Sequence, residues 1–396
     1  MPSIPHLARA VVVAAAGVVA ACGGGERIPL SSVTPPEIRV RLGDARDSAQ
    51  FTVADAWEAV AADGGAWADR GSNTTAVVKA GPSGIDFRGQ ATGRTAVRVR
   101  PRGAFTLEVD GNRRAYRGDL IVRQERGRLV LVNELDLETY VMGVIVNEIG
   151  DGAAPAAYGA QAVVARTYGW SRTRANPDAP WHVTDDQMSQ VYRGLTLPKD
   201  AVVTVTDLEK RTLETRGVVL TWRGETFPTY YASTCGGHTT DAATSHLDPA
   251  GAETPLMGVP CSYCGSSKYY RWTEVVPIQR LVDGLKSRGV VAPIKRLEWT
   301  KVGRGGWVAE VTVTYGPRDA KKVVPGPAFR LAAGVKSMHL ESVTAREDGS
   351  LAIAGSGWGH GVGMCQVGAQ EMGRRGFAAD QILRYYYPGA EFTRLY

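Results

Sequence analysis

The segment from residue 137 to residue 170 contains an acid at a position where an acid is costly. Its first half, LETYVMGVIVNE (137–148), repeats apolar residues at helical spacing, and Glu148 falls on that apolar stripe. A buried carboxyl is either paired with an arginine or with backbone donors, or it has a pKa that burial raises. An acid of the second kind can give and take a proton near neutral pH. Glu148 is therefore either a structural acid or a candidate acid–base residue.

A second helix is predicted directly after the first one. The segment PAAYGAQAVVARTYG (155–169) opens with a proline, which suits a first helical turn, and it is rich in small side chains. Small side chains let two helices approach closely, so this helix is expected to pack on the helix of Glu148. Gln161 and Arg166 are its polar exceptions. We predict that Arg166 pairs with Glu148 or anchors a substrate; the alternative is that both polar residues face solvent.

The N-terminal residues predict export. An apolar run at 10–21 is too short to span a membrane as a stable helix, and it ends at Cys22 in the pattern of a bacterial lipoprotein signal. Residues 1–22 would be the signal, Cys22 the site of lipid attachment, and 23–36 a flexible linker. The acyl chains would anchor an exported protein to a membrane surface, on the periplasmic or cell-envelope side. A plain secretory signal is the alternative, and it exports the body as well.

Residues 37–132 have the alternating pattern of β-strands. Strict apolar–polar alternation at 38–42 and 105–109, with turn residues at 110–112 and 126–127, predicts antiparallel hairpins. This β-rich module leads into the helix of Glu148. No catalytic set of residues is visible in it.

Two short motifs contain residues that bind metals. CGGH (235–238) and CSYC (261–264) together have the C-x2-H and C-x2-C spacing of zinc sites. The predicted ligands of a structural zinc are Cys235, His238, Cys261 and Cys264. Disulfides are the alternative, because an exported protein is in an oxidising compartment, and bridges Cys261–Cys264 and Cys235–Cys365 would use four cysteines. Cys365 could also replace His238 as the fourth ligand.

A third motif, GSGWGHGVGMCQ (355–366), has five glycines around His360. Such a density of glycine predicts a close approach of the backbone to a ligand or to another element. The spacing differs from that of phosphate loops and dinucleotide-binding loops. His360 and Gln366 are predicted to lie in a groove near Glu148.

Together these motifs resemble the SpoIID/LytB family. The resemblance rests on LETYVMGVIVNE (137–148), PAAYGAQAVVARTYG (155–169), QVYRG (190–194) and the glycine-rich motif 355–366. It implies a lytic transglycosylase that acts on peptidoglycan glycan strands, with Glu148 as the catalytic acid and Arg166 as a second catalytic candidate. It also implies a metal in some members, without settling which four groups bind it here.

The predicted fold class is α+β, with antiparallel β-sheet modules flanking a helical catalytic segment that has a substrate groove. After the linker we expect a β-rich module (37–132), a SpoIID-like catalytic core (133–245) and a C-terminal α+β part (246–396). Aromatic and amide side chains are what a sugar-binding groove uses. The predicted substrate-binding residues are Gln161, Gln190, Tyr192, His360 and Gln366; for Gln190 and Tyr192, core packing is the alternative.

Several functions remain open on the sequence. The protein could bind the cell wall without catalysis and promote an amidase, or it could be a metal-dependent hydrolase built on the cysteine cluster. Asp185 or Asp186 could supply a second carboxylate and make the reaction hydrolytic. A net charge of +6 is too modest to indicate a partner. The expected partners are glycan strands, a membrane through Cys22, and a cell-wall amidase; nucleic acid is not expected.

Overall fold

The computed structural model describes residues 34–197, 199, 201–249, 251 and 255–396. The predicted lipoprotein signal, Cys22 and the start of the predicted linker lie outside these residues. Within the described ranges, no helix combines the length and the apolar character needed to cross a membrane.

Segments in which apolar and polar residues alternate form strands from the start of the described chain. In the first strand, for example, Ile38 and Val40 are fully buried while their neighbours face outward. The strands of this part are β1 (Glu37–Arg41), β2 (Ser48–Val53), β3 (Trp57–Ala61), β4 (Ala68–Gly71), β5 (Thr74–Gly81), β6 (Gly84–Phe87), β7 (Gln90–Ala91), β8 (Ala96–Pro101), β9 (Phe105–Val109), β10 (Asn112–Tyr116), β11 (Asp119–Glu125) and β12 (Arg128–Asp136).

Helices and short strands alternate in the rest of the chain. They are α1 (Leu137–Ile149), α2 (Pro155–Ala175), β13 (Val183–Thr184), α3 (Val205–Glu214), β14 (Val218–Trp222), β15 (Glu225–Thr226), β16 (Tyr231–Ala232), β17 (Trp272–Pro277), α4 (Ile278–Leu285), β18 (Ile294–Val302), β19 (Val308–Tyr315), β20 (Ala320–Pro325), α5 (Gly326–Ala333), β21 (Leu340–Ala345), β22 (Ser350–Gly355), β23 (Met364–Cys365), α6 (Gln366–Arg374), α7 (Ala379–Tyr386) and β24 (Glu391–Arg394). The described residues thus confirm the predicted α+β class.

Two sheets share one core with the first helix. Their strand orders are β13-β1-β12-β11-β8-β3-β4 and β10-β9-β2-β5-β6-β7. The hairpins predicted at β9–β10 and β11–β12 are confirmed, and both central residues of each turn have positive φ, as a tight hairpin requires. The buried face of these sheets packs against α1. The predicted module boundaries at 132/133 and 245/246 stay predictions.

The first helix follows β12 without a loop. Asp136 caps α1 by accepting hydrogen bonds of 3.0 Å from the backbone N–H groups of Glu138 and Thr139. Helix α2 packs closely on α1. The two helices are so near at Gly169 that an added Cβ atom would lie only 3.1 Å from the Tyr140 ring. The predicted close packing through small residues is confirmed.

The described chain from β14 onward forms four small sheets, with strand orders β15-β14-β24, β16-β23, β17-β22-β21 and β18-β19-β20. Helix α5 starts at Gly326, with Pro327 in its first turn, and ends where Gly334 takes a left-handed conformation.

The glycine-rich motif lies against the chain segment that follows β15. Strands β16 and β23 pair in parallel, and single bridges join Thr234 to Trp358 and Thr240 to Val362. A Cβ atom at Gly363 would lie 1.9 Å from the Tyr230 carbonyl oxygen. The predicted close backbone approach is therefore made to another element of the protein.

Candidate active site

A cleft of about 380 Å³ lies at the C-terminal end of α1. Four parts of the chain form it: the last turn of α1, the loop that includes Ser189 and Val191, the segment around β16, and the glycine-rich motif. Helix α5 adds Arg330 to its wall. The predicted residues Glu148, His360 and Gln366 all line this cleft.

Glu148 is surrounded by hydrogen-bond donors. Its Oε1 atom accepts the backbone N–H of Val191, the Tyr231 hydroxyl also bonds to the carboxyl group, and the Gln366 amide lies beside it and favours its ionised form. Burial nevertheless raises the pKa of Glu148, and these donors and the charge of Arg193 only partly oppose the rise. Glu148 is thus a half-buried acid that stays protonated at a higher pH than an ordinary glutamate.

Two glutamines of α6 hold the end of α1. Gln366 Nε2 donates to the Glu148 carbonyl oxygen at 2.9 Å, and Gln370 Nε2 donates to the Ile149 carbonyl oxygen at 2.7 Å. The last carbonyls of a helix have no partner within it, so these amides satisfy groups that would otherwise be unpaired. Gln366 also contacts Gln161 Oε1 at 3.4 Å. Gln161 is fully buried, so it supports Gln366 from behind and does not reach a substrate, which corrects its predicted binding role.

Gln190 also acts from behind the cleft wall. Its Nε2 atom donates to the Tyr231 hydroxyl at 3.0 Å, and its Oε1 atom accepts from the Tyr140 hydroxyl at 2.7 Å. It is only 1% exposed. The prediction that Gln190 contacts substrate is therefore wrong; it orients Tyr231, which in turn bonds to Glu148.

His360 is a neutral part of the wall. Its Nδ1 atom accepts the Val362 N–H at 3.1 Å, and its ring also bonds to the Tyr231 carbonyl oxygen, which requires the proton to be on Nε2. Burial, with the nearby positive charge of Arg330, lowers the pKa of His360 to about 4. His360 is thus held by the main chain as a neutral ring that helps to shape the cleft.

Arg166 does not approach Glu148. It is fully buried and binds Glu138, at the other end of α1, through two hydrogen bonds of 2.8 and 2.7 Å. Glu138 also accepts from the Gly217 N–H and from the Tyr396 hydroxyl. Burial alone would raise the pKa of Glu138, but Arg166 and these donors lower it. The prediction of Arg166 as a second catalytic residue is wrong, because its guanidinium is used in this structural ion pair.

Tyr192 belongs to the core. It is 1% exposed, its hydroxyl donates to Asn133 Oδ1 at 2.7 Å, and its ring packs against Tyr140 and Tyr116. A side chain enclosed in this way cannot bind a substrate in the cleft. Its predicted binding role is wrong, and the alternative of core packing is correct.

Neither predicted second carboxylate lines the cleft. Asp185 is buried and forms ion pairs of 3.2 and 3.6 Å with Arg114 and Arg193. Asp186 accepts hydrogen bonds from Thr184 and Met188 within its own loop. Among the described residues that line the cleft, Glu148 is therefore the only carboxyl group.

Four cysteines form a buried cluster next to the cleft. The Sγ atoms of Cys235, Cys261, Cys264 and Cys365 lie within 4.8 Å of one another, each cysteine is at most 1% exposed, and none is in a disulfide. Four thiols at this spacing could hold a metal ion. The predicted bridges Cys261–Cys264 and Cys235–Cys365 are not formed.

His238 is not part of this cluster, which corrects its predicted role as a ligand. Its Nδ1 atom lies against the Thr239 carbonyl oxygen, and its ring faces Gly305. Cys365 takes the fourth position because β16 and β23 pair and bring the residues after β16 beside it. The alternative in which Cys365 replaces His238 fits the structure.

Three further side chains of the cleft were not predicted as site residues. Tyr231 hydrogen-bonds to Glu148, Trp358 presents a ring that is 40% exposed, and Arg330 adds a positive charge. Trp358 lies within the glycine-rich motif, and Tyr231 precedes Cys235 by four residues, so both were near a recognised pattern. Arg330 is on a helix with no motif and had no signal in the sequence.

Comparison with known proteins gives consistent matches. Residues 125–222 match a family model described as Stage II sporulation protein. The stage II sporulation protein D of Bacillus subtilis is 30% identical over 313 residues, which cover 76% of this chain and 85% of that protein. An uncharacterised protein of Brachyspira hyodysenteriae is 27% identical over 332 residues, 81% of this chain and 83% of that one. The amidase enhancer of Bacillus subtilis is 27% identical over 304 residues, 63% of this chain but 40% of that protein.

Proposed function

The chain belongs to the SpoIID family, and we propose that it acts on the bacterial cell wall as a lytic transglycosylase, with Glu148 as both general acid and general base. The observation that supports this most is the position of Glu148 as the only carboxyl among the described residues of the cleft wall. Most glycosidases need two carboxyl groups that flank the bond to be cleaved. Cleavage by a lytic transglycosylase needs one.

The proposed reaction uses the same carboxyl twice. Protonated Glu148 gives its proton to the glycosidic oxygen as the bond from that oxygen to C1 of the muramyl sugar breaks. The carboxylate then takes the proton of the 6-hydroxyl of the same sugar while O6 bonds to C1. The products are a 1,6-anhydro-muramyl end and a free hydroxyl on the leaving sugar, and Glu148 is again protonated. No water is consumed.

The surroundings of Glu148 suit both halves of this cycle. Burial raises the pKa of Glu148, so the acid form is present at a higher pH than for an exposed glutamate. The donors from Val191, Tyr231 and Gln366 stabilise the carboxylate that forms after proton transfer. Tyr231 remains a neutral donor, because burial raises its pKa well above the usual value.

Aromatic side chains of the cleft support a sugar as the substrate. Tyr168, Tyr230 and Trp358 line it, and the edge of Tyr269 packs against Trp358 at a ring distance of 4.3 Å. Exposed aromatic rings of this kind stack on the apolar faces of pyranose rings. Trp358 is therefore proposed to bind a sugar next to the cleavage point.

The four-cysteine cluster is proposed to bind zinc as a structural metal. A tetrahedral Zn–S site with bonds of about 2.3 Å has sulfur atoms about 3.8 Å apart, and the Sγ atoms of Cys235 and Cys264 lie 3.5 Å apart. The four cysteines would complete the coordination of the metal and leave no position for a substrate. This argues against a metal-dependent hydrolase and favours a clamp that holds the segment of Tyr231 against the glycine-rich motif.

Export and lipid attachment at Cys22 belong to the same proposal, since peptidoglycan lies outside the cytoplasm.

A second candidate function is supported by the similarity to an amidase enhancer. In that case the cleft would bind glycan and promote a cell-wall amidase without cleaving the strand itself.

Product analysis separates the two functions. Purified wild-type protein and Glu148→Gln are incubated with glycan strands, with and without stem peptides, and the products are identified by mass spectrometry. Anhydro-ended fragments from the wild type alone are the expected result. Retention of glycan by both proteins, with no fragments from either, would leave only the wall-binding function.

A further inference from the structure

Arg330 is a positive charge in the cleft that has no acidic partner. It lines the same cleft as Glu148, and it also lines a smaller adjoining cavity with Ser245 and Trp307. Among the described residues it forms no ion pair. Its one hydrogen bond as a side-chain donor runs from Nε to the Lys336 carbonyl oxygen, at 3.0 Å.

The neighbouring charges do not neutralise the Arg330 guanidinium. Lys336 is itself paired with Glu274 at 2.8 Å, and the described residues that line the smaller cavity include no carboxyl group. Of the described residues that line the cleft, Glu148 is the only acid, and because its pKa is raised it is a poor counter-ion. Burial lowers the pKa of Arg330, which shows that its charge is costly where it stands. An arginine nevertheless stays protonated in proteins.

The geometry of the side chain suits a carboxylate ligand. The bond from Nε to Lys336 fixes the guanidinium at one end, and Gly334 closes the helix by donating to the Arg330 carbonyl oxygen at 2.8 Å. The two terminal nitrogens remain for a ligand. A planar guanidinium binds a carboxylate through two parallel hydrogen bonds.

We propose that Arg330 binds a carboxylate of the glycan strand and so orients the strand relative to Glu148. This inference rests on the proposed function for the identity of the strand. A peptidoglycan strand offers two sources of carboxylate: the lactyl group of a muramyl sugar that carries no peptide, and the stem peptide where one is attached. Both have the same chemistry, so the test has to distinguish them.

Binding is measured in the Glu148→Gln background by titration calorimetry, so that no strand is cleaved. The strands are peptide-free strands, the same strands after amidation of their carboxyl groups, strands with stem peptides, and neutral oligomers of N-acetylglucosamine. We expect the parent to bind at least one carboxylate-bearing strand about 10-fold or more tightly than its amidated or neutral counterpart. Arg330→Gln should remove this difference and keep the affinity for neutral oligomers.

A matched control is Lys336→Gln, which removes a nearby charge that already has a partner and should keep the preference. A loss confined to peptide-free strands assigns the lactyl carboxylate, and a loss confined to stem-bearing strands assigns the peptide. Equal loss for neutral and acidic strands, or no loss for any, would overturn the proposal. The failure of the enzymatic function is a different result, namely the absence of anhydro products from wild type, and it does not affect these affinities.

Discussion

Gln366 donates a hydrogen bond of 2.9 Å to the main-chain oxygen of Glu148, so the last residue of the glycine-rich motif fixes the turn of α1 that carries the acid. Its amide also lies beside the Glu148 carboxyl group and favours the ionised form of that group. One side chain therefore sets both the position of the backbone and the environment of the carboxyl. Gln370, one helical turn later, makes the corresponding backbone bond, to Ile149, and its Oε1 atom accepts from Arg374 at 3.3 Å.

This pair of glutamines gives the first prediction. Gln366→Ala and Gln370→Ala should each lower the free energy of unfolding by about 1 kcal/mol, because each removes one hydrogen bond to the end of α1. Only Gln366→Ala should also lower kcat, by about 10- to 100-fold, because only Gln366 holds the main chain of Glu148 itself and lies beside its carboxyl group. Denaturant unfolding and the rate of anhydro product formation measure the two effects. Equal losses of kcat in both variants would mean that the end of the helix matters and the carboxyl contact does not.

The second prediction concerns pH and the acid form of Glu148. Because the pKa of Glu148 is raised above 4.5 in the folded protein, kcat should fall as the pH rises through that raised pKa. The folded protein binds the Glu148 proton more tightly than the unfolded chain does. Ionisation of Glu148 therefore destabilises the folded protein as the pH rises. Glu148→Gln should therefore unfold at a higher temperature than wild type at pH 8, with the difference shrinking towards pH 4.

Glu138, on the same helix, is a control for which the pH dependence of stability should have the opposite sign. Its pKa is lowered in the folded protein, so its contribution to stability is present above the pKa of the unfolded chain and is lost as the pH falls. Glu138→Gln should consequently destabilise most at neutral pH and least in acid. The unfolding temperatures of both variants are measured between pH 3 and pH 8. Two pH dependences of the same sign would contradict the raised pKa of Glu148 or the lowered pKa of Glu138.

The sequence was sufficient for much of the local structure and for the position of Glu148. Alternation predicted the hairpin turns at 110–112 and 126–127, and helical spacing placed Glu148 on a buried stripe. The structure brings His360 and Gln366 to the same cleft, as predicted. Each of these predictions depends either on local periodicity or on a motif that can be recognised as a whole.

The wrong partner for Arg166 has a simple geometric cause. Helices α1 and α2 are antiparallel, since a short loop joins the end of one to the start of the other. Arg166 lies eleven residues after Pro155 and Glu138 lies eleven residues before Ile149, so both are about 16 Å from that loop. Helix α1 contains two acids, and the one opposite Arg166 is Glu138. Counting residues along both helices predicts the pair of Arg166 with Glu138. Considering the buried position of Glu148 by itself does not.

Other parts of the site depended on contacts between distant segments. His238 and Cys365 were equal in chemistry as a fourth ligand, and the pairing of β16 with β23 decided between them. Tyr192 is enclosed by Tyr116, which comes from the β-rich part of the chain. Arg330 reaches the cleft only through the placement of α5. No pattern local to these residues contains that information.

The third prediction tests the buried ion pair. Arg166→Met should lower the free energy of unfolding by about 3–5 kcal/mol, because it leaves the Glu138 carboxylate buried without its counter-charge. Removing both charges, in Glu138→Met/Arg166→Met, should recover part of the loss. Arg117→Ala is the control, since its pair with Glu209 is exposed and should contribute less than about 1 kcal/mol. A loss in Arg166→Met no larger than that of the control would show that Arg166 is not needed to compensate Glu138.

The fourth prediction distinguishes the two sets of metal ligands. The protein should contain about one zinc ion per chain, bound by four sulfur atoms. Cys365→Ser should lose most of this metal and unfold at a lower temperature, because β16 is then no longer clamped to β23. His238→Ala should keep the metal, because the His238 ring lies outside the cluster. Metal content by mass spectrometry and X-ray absorption at the zinc edge measure stoichiometry and ligand type. A nitrogen ligand in the wild type that disappears in His238→Ala would restore the set of ligands expected from the sequence, and Cys365 would then be a buried thiol of the core.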